Sequence, residues 1–449
     1  MDRESIRRRF EDNHIRRVKL GAFDTDATLR GKYISVEKFW TAAESGLGFC
    51  DVIFGWDIGD VLYDNAKFTG WHTGYPDAHC RIDMSSYRLV PWEPGTAFFL
   101  LDFCDAAGGP LEIAPRQVFQ RVLERAAERG YTAHFAAEYE FFIFRETAQS
   151  LRDKHFAGMT PLTPGMFGYS VVRASANAEL VLEIMELLAA FDVPLEALHT
   201  ETGPGVYEAA IAVKADLAAA DRAALFKVAI KEIAGRHNLT PTFMAKWSAG
   251  LPGSSGHLHQ SLRRTGNNEN LFSGEAADGG MPEPMRQYVA GLATNMQELT
   301  AIFCPTINSY KRTVPGAWAP VNATWGVDNR TTAVRAISSR GKSARVELRL
   351  TGADINPYLA MAAALAAGLD GIERKLELPP PTVNAYSADA SALPRTLADA
   401  TRLFRESRVA REWLGEQFVE HYASTREWEV RQYEKAVTDW ELARYFESV

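Results

Sequence analysis

The chain has 449 residues, and its 57 acidic against 49 basic side chains give a formal charge of −8. Hydrophobic residues make up 46% and charged residues 24%, which is typical of a folded globular protein and excludes a wholly disordered chain. The net negative charge argues against nucleic acid as a partner, because phosphate backbones bind basic surfaces. The length is enough for about two or three domains.

Targeting and membrane segments are missing from the sequence pattern. Residues 1–19 are charged throughout and contain no apolar core of a secretory signal. The longest apolar-rich run, Tyr358–Leu369, is about a dozen residues, which is too short to cross a bilayer. We therefore expect a cytoplasmic protein without a membrane partner. No CxxC spacing links the cysteines, so we expect free thiols at Cys50, Cys80, Cys104 and Cys304.

The first hundred residues read as short strands separated by turns. Strand character is found at 17–23, 81–83 and 97–104, with Gly, Asp and Pro clusters between them. A helix then begins at Pro115 and ends at Gly130. We predict an N-terminal domain over residues 1–107 and a second domain over residues 108–449.

The second domain alternates strands and helices. We predict strands at 133–144, 208–213, 241–245, 257–262 and 344–350. We predict helices at 176–191, 218–237, 285–303 and 357–375, and a final helical region at 394–447 beyond a run of three prolines. The short connections favour antiparallel pairing, so the predicted fold class is α+β.

In three predicted strands, charged or imidazole side chains occupy alternate positions and so share one face of the strand. One such strand is usually a solvated edge. Three in one chain, each flanked by apolar residues, indicate the lining of a polar cavity. The sets are Glu138 with Glu140, His257 with His259, and Arg345 with Glu347 and Arg349.

More carboxylates lie near a Gly-Pro-Gly loop, at Glu196, Glu201 and Glu208. Clustered glutamates stay ionised together only if cations neutralise them, and oxygen ligands with imidazoles suit Mg²⁺ or Mn²⁺. The chain has neither a P-loop nor a GxGxxG motif, so an ATP-using ligase without a P-loop fits. Counter-charges for phosphates and carboxylates are offered by Arg312, Arg335, Arg345 and Arg349.

From about residue 15 to the C-terminal helices, the chain resembles the glutamine synthetase superfamily. Six motifs carry the resemblance in order: E-x-E-F from Glu138, H-x-E…E ending at Glu201 and Glu208, G-S-x-x-H-x-H from Gly253, N-S-Y-K-R-x-V-P-G from Asn308, N-R at Asn329 and Arg330, and R-x-E-x-R from Arg345. The resemblance implies a small N-terminal β-grasp domain and a large catalytic domain with an antiparallel sheet. It also implies hexameric rings stacked as a dodecamer, with active sites between subunits.

The resemblance implies roles for individual residues. ATP would be used with two or three Mg²⁺ or Mn²⁺ ions per site, the first held by Glu140, Glu201 and Glu208 and the second by Glu138, His257 and Glu347. The implied nucleotide contacts are Glu196, His259, Ser261, Arg335, Lys342 and Arg345. The groups implied for substrate carboxylates are Gly253, Arg312 and Arg349, with Arg330 for the transferred phosphoryl group and Tyr169 near the ammonium pocket.

The sequence departs from glutamine synthetase after the KRTVPG motif. There the family has a glutamate that binds ammonium and takes a proton, whereas this chain has Trp318. An indole is neither an anion nor a base, and offers instead a large apolar face. We expect Trp325 to add to the same wall. Asp57 is the candidate for the ammonium-site aspartate, which would deprotonate an alkylammonium ion.

These observations predict an ATP-dependent ligase that joins the γ-carboxylate of glutamate to a small organic amine through a γ-glutamyl phosphate. Trp318 and Asp57 thus join Arg330 as candidate catalytic residues, and Trp318 also as an amine contact. Two alternatives stay open. The first is that the chain is an ordinary glutamine synthetase that uses ammonia. The second is that it is a non-catalytic structural or regulatory relative.

Overall fold

The computed structural model describes residues 2–274, 280–338, 341–386 and 390–449. Its strands form two sheets. The N-terminal sheet contains β1 (Arg17–Phe23), β2 (Leu29–Ser35), β3 (Leu47–Cys50), β4 (Asp77–Ile82), β5 (Arg88–Leu89) and β6 (Thr96–Cys104). The larger sheet contains β7 (Tyr131–Phe144), β8 (Leu195–Thr200), β9 (Val206–Ile211), β10 (Lys214–Ala215), β11 (Thr240–Thr242), β12 (Gly256–Arg264), β13 (Trp325–Val327), β14 (Val334–Ile337) and β15 (Arg345–Leu348).

The helices of the described residues follow the same order along the chain. Those before residue 200 are α1 (Arg3–Asp12), α2 (Val36–Ser45), α3 (Pro115–Glu128), α4 (Ala148–Asp153), α5 (Val171–Ser175) and α6 (Ala178–Ala190). Those after it are α7 (Leu217–Arg236), α8 (Glu283–Phe303), α9 (Pro357–Glu373), α10 (Leu397–Glu406), α11 (Arg408–Leu414), α12 (Glu416–Lys435) and α13 (Asp439–Tyr445). No helix of this described part is long and apolar enough to cross a membrane.

The N-terminal sheet is mixed, with β1 and β6 paired in parallel at its centre and the other strands antiparallel. Helix α2 packs on one face, where the rings of Phe39 and Phe99 lie 4.7 Å apart. Helix α1 adds Ile6 and Phe10 to the same apolar core. A parallel central pair with a helix packed across it is the arrangement expected of a β-grasp unit.

The larger sheet runs in the order β13-β14-β15-β12-β7-β9-β8, with β10 and β11 also paired to β7. Every pair is antiparallel except β13 with β14. The long strand β7 lies in the middle of the sheet and receives β12 on one side and β9 on the other. The α+β fold class with an antiparallel-rich sheet is therefore confirmed.

Helices α3, α7 and α8 lie against strands of this sheet, and α9 packs against all three of these helices. Helix α9 is buried along nearly its whole length because alanine and glycine line it. A Cβ atom added at Gly291 of α8 would lie 2.1 Å from the carbonyl oxygen of Ala367 in α9, so only glycine permits this approach. The close packing explains why residues 357–375 form a buried helix and not a membrane span.

A buried ion network joins the N-terminal sheet to helices α3, α7 and α9. The Arg116 guanidinium donates to Asp83 and Asp102 of the N-terminal part at 2.6 Å, and to Asp221 of α7 at 2.9 Å. The Tyr358 hydroxyl donates to Asp221 at 2.7 Å. We retain as a proposal the division into residues 1–107 and 108–449, which is supported by the separate sheets on either side of it.

The predicted elements are largely present. The prediction missed α2 and a set of short elements, namely β3, β5, β10, β13, β14, α4 and α5. It also missed β2 and β8, because neither the exposed residues of β2 nor the exposed middle of β8 show a clear apolar alternation. The predicted strand at 241–245 extends only over Thr240–Thr242. None of the four cysteines forms a disulfide.

Candidate active site

The register of the large sheet brings glutamates and histidines together on one face. Strand β7 presents Glu138 and Glu140 two positions apart. Glu138 is the direct partner of His257 on β12, and Glu140 is the direct partner of Glu208 on β9. The alternation within each strand therefore becomes a polar belt that crosses three strands.

The belt continues over β15. Glu347 is paired with His259 of β12 on one side and with Arg335 of β14 on the other. Donor atoms of Glu138, His259 and Glu347 all lie within 4.8 Å of one another. His259 Nε2 is 3.1 Å from Glu138 Oε2, and His257 Nδ1 is 3.4 Å from Glu347 Oε1. Both histidines of β12 thus border this first cluster.

A second cluster lies across β8 and β9. His199 Nε2 is 3.4 Å from Glu201 Oε1 and 3.5 Å from Glu208 Oε1. Glu140 adjoins it and accepts a hydrogen bond from the backbone N–H of Ser255 at 2.6 Å. His199 is not among the predicted site residues, although its spacing of two from Glu201 puts both on one face of a strand.

The second cluster carries more negative charge than its surroundings neutralise. Burial, followed by the charges of Glu140, Glu138 and Glu201, raises the pKa of Glu208 to about 9. Burial also raises the pKa of Glu140. In the absence of a cation, a proton must therefore occupy this cluster at neutral pH.

The first cluster has internal counter-charges. Burial would raise the pKa of Glu347, but His257, Arg349 and His259 outweigh it and lower the value to about 2. Burial and the charge of Arg349 lower the pKa of His257 to about 4, so this imidazole is neutral at pH 7. A neutral imidazole beside ionised carboxylates is a suitable ligand set for a divalent cation.

Buried nitrogen atoms that lack a hydrogen-bond partner also support the fit of these clusters to a divalent cation. The Nε2 atoms of His199 and His257 are buried and have no hydrogen-bond partner among the described residues. Buried polar atoms are rarely left unpaired in native structures. The donor set of carboxylates and imidazoles in both clusters fits Mg²⁺ or Mn²⁺.

Arginines border the first cluster. Arg335 Nη1 donates to Glu347 at 2.9 Å, and Arg349 donates to the same carboxylate. Arg345 Nε donates to His259 Nδ1 at 3.1 Å, so the proton of a neutral ring is on Nε2, which lies 3.1 Å from Glu138 Oε2. The Nε atom of Arg349 is buried without a partner among the described residues. These cations flank the carboxylates at a point where a polyanionic ligand would be attracted.

Arg312 and Gly253 lie together in the interior. Arg312 is 4% exposed and donates to the carbonyl oxygen of Leu350 at 2.9 Å. A Cβ atom at Gly253 would lie 2.8 Å from Arg312 Cγ and 2.5 Å from the carbonyl oxygen of Ala245. Position 253 is therefore restricted to glycine by its neighbours.

Tyr169 lies over the second cluster. Its ring stacks on the imidazole of His199, with centroids 4.5 Å apart and planes 11° apart. Burial, then the charges of Glu201 and Glu208, raise the Tyr169 pKa to about 12, while Arg330 works to lower it. These interactions place Tyr169 and the exposed Arg330 beside the carboxylates of β8 and β9.

The two tryptophans of the flap region have different surroundings. Trp318 is 66% exposed and has a backbone φ of +56°, in the left-handed region that bulky residues rarely adopt. Trp325 is 5% exposed, belongs to β13, and donates from Nε1 to the carbonyl oxygen of Pro379. The expectation that Trp325 adds to a substrate wall is therefore wrong, because its ring is part of the apolar core.

Four further predicted residues lie at the edges of this region or away from it. Glu196 is exposed at an irregularity of β8, and Lys342 is exposed in a short turn before β15. Ser261 is buried on β12, two positions beyond His259 and so on the same face. Asp57 accepts hydrogen bonds within its own loop and from Nε1 of Trp428 at 3.0 Å. The contacts described for Asp57 include neither cluster.

The model of the glutamine synthetase catalytic domain matches residues 112–445. A type-1 glutamine synthetase 2 of Dictyostelium discoideum is 47% identical over 96% of this chain and 84% of its own length. A glutamate–isopropylamine ligase of a Pseudomonas species is 40% identical over 99% of this chain and 98% of its own.

Two further relatives extend the comparison. A γ-glutamylethanolamide synthetase of Streptomyces coelicolor, GlnA4, is 38% identical over 96% of this chain and 92% of its own length. A solved GmaS–ADP complex superposes with a TM-score of 0.85 at 28% identity, covering 99% of both chains. The family match covers far more than half of the sequence. The chain therefore belongs to the glutamine synthetase family.

Proposed function

We propose that this protein is an ATP-dependent ligase that joins the γ-carboxylate of glutamate to a small organic amine and forms a γ-glutamylamide. The observation that carries the proposal is the pairing of a complete glutamate–histidine belt with Trp318 at the flap position, where glutamine synthetases have a glutamate. Relatives named for isopropylamine and ethanolamide ligation, 40% and 38% identical over nearly the whole chain, support it.

The reaction balances in two steps. The γ-carboxylate oxygen of glutamate attacks the terminal phosphorus of ATP, which forms γ-glutamyl phosphate and releases ADP. A neutral amine then attacks the acyl carbon, phosphate leaves, and one proton is given up. Divalent cations held by the two clusters would neutralise phosphate charge. Arg349 and Arg330 are the proposed protein cations for the acid and the transferred phosphoryl group.

On the amine side, the proposed wall consists of Trp318 and Tyr169. An apolar face favours an alkyl or aromatic substituent on nitrogen, whereas ammonium would lack the anion that stabilises it. The hydrogen bonds described for Asp57 reach neither cluster of its own chain. We therefore propose that Asp57 of a second copy completes the amine site and takes the proton, which requires the ring assembly that the family forms.

Mixing two inactive variants tests this shared site. Asp57→Asn and Arg330→Ala would each abolish activity alone. When the two are dissociated, mixed and reassembled, sites that combine an intact Asp57 with an intact Arg330 should recover up to about a quarter of the wild-type activity. A site formed within one subunit would recover none.

Ammonia is the second candidate nucleophile, because the relative that is 47% identical is named a glutamine synthetase. A non-catalytic role is disfavoured by the belt itself, since a protein freed from catalysis need not keep like charges buried together at a cost in stability.

Phosphate release provides the test. The purified protein is supplied with ATP, Mg²⁺, glutamate and one nucleophile from a panel: ammonia, methylamine, isopropylamine, ethanolamine, putrescine or aniline. We expect release that depends on glutamate and on one organic amine, with the matching γ-glutamylamide found by mass spectrometry. Release only with ammonia would make the protein a glutamine synthetase. No release with any member would contradict both assignments.

A further inference from the structure

The sequence motifs leave His199 without a role, although the structure places it between two parts of the proposed site. One face of its ring is covered by Tyr169 at 4.5 Å between centroids. Its Nε2 atom points at the carboxylates of Glu201 and Glu208, 3.4 and 3.5 Å away. That nitrogen is buried and has no hydrogen-bond partner among the described residues.

The strand that carries His199 is fixed on both sides. In the ladder, His199 is the direct partner of Glu208. The following residue, Thr200, accepts a hydrogen bond from the Tyr169 backbone N–H at its carbonyl oxygen (2.7 Å) and from the Ser170 N–H at its hydroxyl (2.9 Å). The segment that bears Tyr169 is thus fastened to the strand that bears the imidazole.

Tyr169 itself is held in a costly conformation. Its φ is +54°, in the left-handed region, and its side chain is 71% exposed. An exposed tyrosine on such a backbone depends on local contacts to keep one side-chain orientation. The stacked imidazole is the ring contact that the structure gives it.

We propose that His199 is a positioning residue with two separable functions: its ring face orients Tyr169 as the wall of the nucleophile site, and its Nε2 atom orients Glu201 and Glu208 for a divalent cation. The inference rests on the proposed function only in naming the nucleophile. It predicts that the two functions can be separated by substitution, because one belongs to the ring and the other to the nitrogen.

Two substitutions of His199 separate the function of the ring from the function of the nitrogen. His199→Phe keeps a flat ring for Tyr169 and removes the nitrogen. His199→Gln keeps a polar atom near the position of Nε2 and removes the ring. Mn²⁺ affinity is measured by calorimetry on the substrate-free protein, and KM is measured for whichever nucleophile the wild type uses best, ammonia included. Failure of the organic-amine assignment therefore leaves this test intact.

We expect each substitution to change one of the two measured quantities and to leave the other nearly unchanged. His199→Phe should weaken Mn²⁺ binding by about tenfold, as for other residues that orient metal ligands, and leave the nucleophile KM within about twofold. His199→Gln should raise the nucleophile KM by about three- to tenfold, the value of one aromatic contact, with Mn²⁺ affinity nearly unchanged. A merely structural histidine would shift both quantities in parallel in both variants, and that result would overturn the proposal.

Tyr169→Leu keeps the test decisive if either histidine variant fails to fold. Its side chain is exposed, so the fold should tolerate the change. It should reproduce the KM effect of His199→Gln with wild-type Mn²⁺ affinity. An unchanged KM in Tyr169→Leu would show that the stacked pair does not shape the nucleophile site.

Discussion

Glu140 and Glu208 are direct cross-strand partners on β7 and β9, so two partly buried carboxylates lie opposite each other in the sheet. Like charges directly opposite in a sheet are destabilising, and burial increases the penalty. Burial is the main cause of the raised pKa of both groups; the charge of Glu140 adds to it for Glu208, and the charge of Glu201 adds to it for Glu140. A sheet that keeps such a pair is built to be completed by a cation.

Replacing Glu208 by Gln should therefore act in opposite directions on stability and on metal binding. The metal-free variant should melt at a higher temperature than the wild type at pH 7, because the wild-type carboxyl must take up a proton on folding and the amide need not. Its affinity for Mn²⁺ should fall by about 10- to 100-fold. Thermal melting with and without Mn²⁺ measures both effects, since bound metal raises the melting temperature.

Glu146→Gln is a matched control for Glu208→Gln. Its carboxylate is buried too, but it is paired with Lys154 and Ser150 and lies outside the clusters. This control should lose stability without losing Mn²⁺ affinity. A metal-free Glu208→Gln protein that melts at a lower temperature than the wild type would refute the repulsion argument.

The second prediction concerns the flap. Trp318→Glu introduces an anion that can stabilise ammonium, so kcat/KM for ammonia should rise relative to that for the preferred organic amine by at least about tenfold. Steady-state rates with both nucleophiles give the ratio. Trp440→Glu, at a similarly exposed tryptophan in α13, should leave the ratio unchanged. Equal ratios in wild type and Trp318→Glu would exclude Trp318 as a specificity residue.

The third prediction uses two nearby glycines. In Gly253→Ala the new methyl group would meet the carbonyl oxygen of Ala245 at 2.5 Å, whereas nothing lies within 4 Å of a Cβ at Gly250. Gly253→Ala should displace Arg312 and raise the KM for glutamate by about tenfold or more, since misplacement of about 1 Å at such sites is costly. Gly250→Ala should behave as wild type in the same assay. A normal glutamate KM in Gly253→Ala would remove this region from the acid site.

The fourth prediction concerns pH and stability. His421 is buried, its Nε2 has no partner among the described residues, and burial lowers its pKa to about 4. Between pH 4 and the unfolded value of about 6.5, the unfolded chain binds a proton that the folded chain does not, so stability falls as pH falls through this window.

His421→Phe keeps an aromatic ring against Phe68 and removes the titration. The difference in free energy of unfolding between wild type and His421→Phe should therefore widen in favour of the variant as pH falls from 6.5 to 5. A constant difference for His421→Phe would mean that its native pKa is not lowered.

Much of the site follows from strand periodicity. The spacing of two between Glu138 and Glu140, and between His257 and His259, fixes a common face before any tertiary contact is known. Register does not follow from the sequence, because a shift of one residue between β7 and β9 would move Glu208 to the opposite face. The pairs that form the belt therefore needed the structure.

His199 and Trp325 show where sequence reasoning stops. His199 lies on a strand whose exposed middle hides its alternation, so its place beside Glu208 came only from the ladder. Trp325 is only seven residues beyond Trp318, but the chain turns into β13 between them and buries the second ring. Neither sequence distance nor residue type distinguishes a core tryptophan from an exposed one.

The central claim is that this site prefers an organic amine to ammonia, and direct competition tests it most directly. The wild-type protein is given ATP, Mg²⁺, limiting glutamate, and ammonia together with isopropylamine, methylamine or ethanolamine at equal concentrations of the unprotonated form. We predict that one γ-glutamylamide exceeds glutamine by at least about tenfold, a ratio worth about 1.4 kcal/mol of transition-state discrimination. Glutamine as the main product in every mixture would contradict the account.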